Sequence, residues 1–213
     1  MNKYAFLWLC ITGVASGQAI SFGVKGGVPF TEAIRYRDES RPYVIGGTVE
    51  VRLPAHFAIE ADALYQRVGT SSGVSFLLSG VNLIPINSSV QSFTNRLRGN
   101  SWEFPLLAKY YFRPHHAGWE PFLATGYSFR TIRFKADTVS VISGTDIAPS
   151  TVRNRSSYTS ALDVGATLAA GLRLRSGRFA ISPEIRYTRW GGSENNSSQL
   201  QRNEAKFLLG ITF

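Results

Sequence analysis

The chain has 213 residues, 44% of them hydrophobic, and a formal net charge of +9. That length allows one large domain or two small ones. Beyond the N-terminus no apolar run approaches the roughly 20 residues of a helical membrane span. A composition this evenly mixed remains compatible with membrane strands, whose two faces cancel in the average.

The N-terminus has the make-up of an export signal. Lys3 gives a basic start, Tyr4 to Val14 an apolar centre, and Ala15, Ser16 and Gly17 a small-residue stretch ahead of Gln18. Residues 1–17 are expected to be removed, with cleavage after about residue 17 or 19, leaving residues 18–213 as one domain. The competing reading is a short buried helix. Cys10 is the only cysteine and lies within this signal, after a Leu9 too large for a lipoprotein site. The mature chain would use no disulfide.

Period-two alternation then recurs in eight stretches, 19–30, 43–54, 57–68, 100–113, 120–132, 158–175, 178–190 and 204–213. At about ten residues such a strand can cross a bilayer when tilted. The links 53–56, 113–119 and 175–178 are short, whereas 31–42, 69–99, 133–157 and 191–203 are long. Short and long alternate along the whole chain. This arrangement predicts an all-β fold, an eight-stranded antiparallel up-and-down transmembrane β-barrel, with turns on one side and loops on the other.

Successive side chains of a strand point to opposite faces. Trp102, Phe104, Leu106, Ala108, Tyr110 and Phe112 share one face of the fourth stretch, against Glu103 and Lys109 on the other. The sixth and seventh set Leu162, Val164, Leu168, Phe179, Ile181 and Ile185 against Asp163, Arg173, Glu184 and Arg186. Collected over all eight, the polar parity holds Lys25, Arg52, Lys109, Arg130, Arg173, Arg186 and Lys206 as cations. Its anions are Glu50, Glu60, Asp62, Glu103, Asp163, Glu184 and Glu204. Equal numbers of each sign suit a narrow lumen, where every buried ion needs a partner.

With the apolar face turned inward, the same alternation would build a soluble lipocalin-like calyx for an apolar ligand. The balanced ions and the long loops favour the opposite orientation. So do Tyr65, Tyr110, Phe112, Trp119, Phe122, Phe179, Tyr187 and Trp190, which lie near strand ends as an aromatic girdle would. In "EAKFLLGITF", Phe207, Leu209, Ile211 and Phe213 share a face to the last residue.

With its export signal, eight alternating stretches and terminal "FLLGITF", the chain resembles the small eight-stranded outer-membrane β-barrel family of Gram-negative bacteria, of the OmpA/OmpX type. "WEFPLLAKYYF" and "ISPEIRYTRW" are likewise similar to domains of that kind. The resemblance spans roughly residues 19–213. It implies an outer-membrane location and recognition of Phe207, Leu209, Ile211 and Phe213 by the barrel assembly machinery. Ala205 stands where the family often has an aromatic residue.

Pro105 and Pro183 fall inside expected strands, where each removes a ladder donor, so local bulges are expected. The apolar stretch 74–86 is expected either to be buried in an extension of the third and fourth strands or to form a docking surface. The three histidines, His56, His115 and His116, fall in the short turns. They offer no nucleophile–base pair on the opposite side, and the adjacent His115 and His116, which could bind a metal, have no nearby Cys or acidic cluster and read as solvated turn residues. Glu60 and Asp62 read as members of an ion network rather than an acid–base pair. No enzyme activity, cofactor or metal is expected.

The positive excess falls on the long connections, at Arg35, Arg37, Arg41, Arg96, Arg98, Arg133, Lys135, Arg153, Arg155 and Arg202. Among these, Arg133, Lys135, Arg153 and Arg155 are candidate contacts for the phosphates of anionic lipopolysaccharide. An exported barrel does not meet cytoplasmic nucleic acid. The expectation is a monomer with a structural or interactive role in envelope integrity, adhesion or lipid contact. A narrow porin-like channel is the second reading, and the soluble calyx the third.

Overall fold

The computed structural model describes residues 20–30, 43–78, 89–113, 118–144, 147–191 and 202–213. Nine strands are formed: β1 (Ile20–Pro29), β2 (Val44–Arg52), β3 (Phe57–Leu78), β4 (Ser89–Tyr111), β5 (Trp119–Gly144), β6 (Ile147–Thr159), β7 (Asp163–Ser176), β8 (Phe179–Trp190) and β9 (Asn203–Thr212). All pairings are antiparallel, and β1 pairs with both β2 and β9. The remaining ladders run β2–β3–β4–β5–β7–β8–β9, which closes the sheet. Closure leaves the barrel staves no unpaired edge; in hydrocarbon an unsatisfied backbone group would cost several kcal/mol, on the order of its transfer from water.

Nine strands make eight staves because β5 has two successive partners. From Trp119↔Leu174 to Arg130↔Asp163 it pairs with β7, and from Arg133↔Thr159 to Gly144↔Ile147 with β6. The expected single strand over 158–175 is thus broken at residues 160–162. Ser160 seals the break: its N–H donates to the Ile132 carbonyl at 2.8 Å, and its Oγ accepts the Ile132 N–H at 2.9 Å. The backbone groups of β5 at the crossing point remain satisfied.

The staves differ in length. β1, β2 and β9 have 10, 9 and 10 residues, close to one bilayer crossing. By contrast β3, β4 and β5 have 22, 23 and 26. The surplus, with β6, continues past the barrel on the side away from the short turns, as a four-stranded blade. Most of the expected loops 69–99 and 133–157 are therefore strand. Their polar alternation lacks a lipid-facing apolar row, which hid them, but Ser, Thr and Val pair readily where both faces meet water. Residues 74–78 of the apolar stretch join β3; residues 79–86 lie outside the described residues, as does the expected export signal.

The prolines cause no bulge. Register is unchanged across Pro105 and Pro183, which pair with Ser128 and Leu209 respectively. Each costs its ladder only on the other side, toward β3 and β7. The missing N–H is thus confined to one neighbour, and the second ladder holds the strand straight. The β2–β3 turn places Ala55 and His56 at φ of 60° and 69°, and the β7–β8 turn places Gly177 at 61°, where glycine bears no Cβ penalty.

Candidate functional site

The barrel interior is ionic, and its charges lie in three tiers set by strand register. Nearest the short turns, Arg173 Nη1 donates to Glu50 Oε1 at 2.5 Å and Tyr111 donates to Glu50 Oε2 at 2.7 Å. Arg52 Nη2 reaches Glu120 at 3.3 Å in the same tier. In the middle, Lys25 Nζ lies 2.6 Å from Glu60, 3.3 Å from Asp62 and 3.1 Å from Glu184. Arg186 Nη2 meets the same three carboxylates at 3.3, 2.8 and 2.6 Å. Lys109 ties the two tiers together, contacting Glu60 and lying 3.4 Å from Glu50. In the outer tier Lys206 pairs with Glu103 and Glu204, while Arg130 reaches Asp163 at 2.7 Å and Glu204 at 3.3 Å.

Of the fourteen lumen residues read from the sequence, thirteen are buried and Asp163 is part-buried at the outer end. Glu120, outside that set of fourteen, is also fully buried. Its parity matches Arg130 on the same strand, a signal masked by its place at the strand start beside Pro121. Two residues assigned to the aromatic girdle belong inside. Phe122 and Trp190 are 2% and 1% exposed, because each shares the parity of the lumen ions of its strand, which proximity to a strand end had overruled. Lys109 sits 4.3 Å from the Phe122 ring centroid, Arg130 4.0 Å from that of Trp190, and the Trp190 Nε1–H donates to Glu204 at 2.9 Å. Large rings thereby fill the space between ions and supplement their solvation.

Outside, the order is reversed. Phe104, Leu106, Leu123, Leu168, Ile181, Ile185, Leu209 and Ile211 are exposed. Burying charge while exposing this much apolar surface is the inverse of a soluble calyx and is what hydrocarbon demands. Aromatic residues rim this band at both ends. Tyr43, Tyr65 and Trp102 succeed one another at 6.5 and 5.3 Å on the outer side; Phe57, Tyr110 and Phe112 do so at 5.2 and 5.3 Å beside the short turns. Phe207, on β9, and Phe213, one residue past its end, are exposed.

Above the ions, Val68, Ile132 and Phe134 form a buried apolar cluster with Leu97 against it. Gly99 makes room for it, since a Cβ there would approach Val68 and Ile132 to 2.8 and 3.0 Å. The cluster occupies the inward face of the blade's base, and Tyr158 stacks on Phe134 at 5.0 Å.

The other face of the blade is basic. Direct cross-strand neighbours share a face, and the pairings Arg67↔Asn100↔Arg133, Arg98↔Lys135, Arg96↔Asp137↔Arg155 and Val139↔Arg153 put seven cations and one carboxylate on the side that continues from Trp102. Arg153 grips Asp137 through Nε at 2.9 Å and Nη2 at 2.5 Å. These hydrogen bonds hold the Asp137 carboxyl below its ordinary range. Arg133, Lys135, Arg153 and Arg155 thus share one face with Arg67, Arg96 and Arg98. Arg35, Arg37, Arg41, His115 and His116 lie outside the described residues. His56, in the β2–β3 turn, places Nδ1 3.2 Å from the Arg113 carbonyl.

A model of the outer membrane protein beta-barrel domain matches residues 15–192. The chain belongs to that family. Membership places it in the outer membrane and agrees with the closed all-antiparallel barrel. Similar solved structures include the N-terminal β-barrel domain of Pseudomonas aeruginosa OprF, at 16% identity over 91% of this chain and 96% of that one, with a TM-score of 0.45. Ail of Yersinia pestis matches at 13% identity over 92% and 95%, with a TM-score of 0.46. Neisserial surface protein A matches at 10% over 92% and 98%, with a TM-score of 0.47. No curated protein matches the chain.

Proposed function

We propose that this outer-membrane barrel is non-conducting and serves a structural and interactive role, with its outer blade meeting anionic components of the cell surface. Envelope integrity, adhesion and contact with lipopolysaccharide are the tasks in view. The observation that carries this reading is the lumen: cations and carboxylates buried in three tiers, the inner two joined by Lys109, with Tyr111, Phe122 and Trp190 among them. An eight-stranded barrel is only just wide enough for its own side chains. In this reading residues 1–17 direct export, the assembly machinery engages Phe207, Leu209, Ile211 and Phe213, and the barrel works as a monomer.

Conductance across a planar bilayer tests it. The protein, first shown to be closed by faster gel migration before boiling than after, is expected to give no steady openings. Small, steady, reproducible steps would instead assign it the role of a narrow porin-like channel.

A further inference from the structure

The blade's two faces differ in charge. Its inward side carries Val68, Leu97, Ile132, Phe134, Asn154, Ser156 and Tyr158, and no cation among the described side chains. All the cations are on the outward side. Charge meant only to keep an extended sheet in solution has no reason to avoid one face.

That outward side looks sideways, over the membrane, rather than across the barrel mouth. Thr131 is the cross-strand neighbour of Trp102 in the outer aromatic rim. At about 3.4 Å per residue, Arg133 stands roughly 7 Å beyond that rim along the strand, and Lys135 with Arg98 roughly 14 Å. This is the level of headgroups just past the hydrocarbon. The cations are also placed at a cost to the sheet: Arg98 and Lys135 are directly opposed like charges, an arrangement that destabilises a ladder. Neither makes an ion pair among the described residues, and Asp137 is already taken by Arg153.

We propose that this face binds the phosphate groups of the glycolipid that forms the outer leaflet beside the barrel, an inference that rests on the outer-membrane interactive reading above. A phosphate seated between Arg98 and Lys135 turns their repulsion into two attractions, and the guanidinium forks of Arg96 and Arg133 suit phosphate oxygens. The sideways aim selects a membrane lipid over a soluble polyanion, which would reach the mouth as readily.

The test uses the full protein in detergent with bis-phosphorylated lipid A, the same lipid stripped of phosphate, and heparin as a soluble sulfated polymer. Binding of the phosphorylated lipid is expected, with the stripped lipid at least about tenfold weaker, as expected for the loss of charge-assisted hydrogen bonds. The double variant Arg98→Ser, Lys135→Ser should lose a similar factor, while Asp137→Asn, which releases Arg153 and Arg155, should bind more tightly. Gel migration before boiling confirms that each variant has folded, and Asp137→Asn keeps the test decisive should the double variant fail to fold. Equal binding of the two lipids, or a double variant and an Asp137→Asn variant both indistinguishable from the parent, overturns the proposal. A preference for heparin overturns it as well, in favour of a soluble partner. Failure here in a closed, non-conducting barrel leaves the structural role standing; lipid binding by a conducting barrel would do the reverse.

Discussion

The lumen and the blade both carry many charged side chains, and they treat them in opposite ways. In the lumen every tier mixes signs, and Lys25, Glu60, Glu184 and Arg186 are each within hydrogen-bonding distance of two or more partners. On the blade seven cations share a face with one carboxylate, and two of them oppose each other directly. The difference separates charge that the fold requires from charge that the fold merely tolerates. A narrow barrel must fill its interior, and ions brought there survive only in compensated clusters. An exposed sheet has no such need, so its one-sided charge is available to a partner.

The comparison breaks most sharply at Arg186. Arg186→Met strips the middle tier of the fork that spans Glu60, Asp62 and Glu184. The expected cost is about 3–5 kcal/mol, as for other buried pairs that lose one member. It would be read as a lower urea midpoint for the detergent-folded barrel. Arg133→Ser on the blade should shift the same midpoint by no more than about 0.5 kcal/mol, the usual range for surface changes. Comparable effects at the two sites would mean that the blade cations also hold the fold together. A middle case lies where the regions join. Gly99→Val drives methyl groups into Val68, Ile132 and Phe134 and should cost about 1–3 kcal/mol, the range for overpacking. A Gly99→Val midpoint equal to that of the parent would show the cluster above the ions to be loose.

The barrel was legible in the sequence because lipid on one side and ions on the other impose strict parity, and parity survives without any long-range information. The lumen residues emerged the same way, and the errors mark where parity was set aside. Glu120 was passed over beside Pro121, and Phe122 and Trp190 were placed by nearness to strand ends instead of by the face they share with Arg130 and Arg186. The blade was hidden for a different reason. With water on both sides, "STVRNRSSYT" needs no apolar alternation, so the sequence carries no mark of the face to which each arginine belongs. Only the register with β5 assembles Arg98, Lys135, Arg153 and Arg155. The proline bulges failed because a proline on a stave with two ladders can lose bonds to one neighbour and keep those to the other.

The smallest expected effect is the most informative about the blade. Arg98→Glu places a carboxylate directly opposite Lys135. Replacing a like pair by an opposite one should stabilise the protein by about 0.2–1 kcal/mol, the worth of a cross-strand pair. The same change puts a negative charge where the phosphate is proposed to sit, so binding of phosphorylated lipid A should fall as the urea midpoint rises. A residue placed for stability cannot give that pair of results, because improving the fold would leave its contribution to binding untouched or strengthen it. A midpoint that drops on this substitution would mean that the basic face is stabilised by contacts within the blade, and the contrast between required and tolerated charge would then end at the lumen.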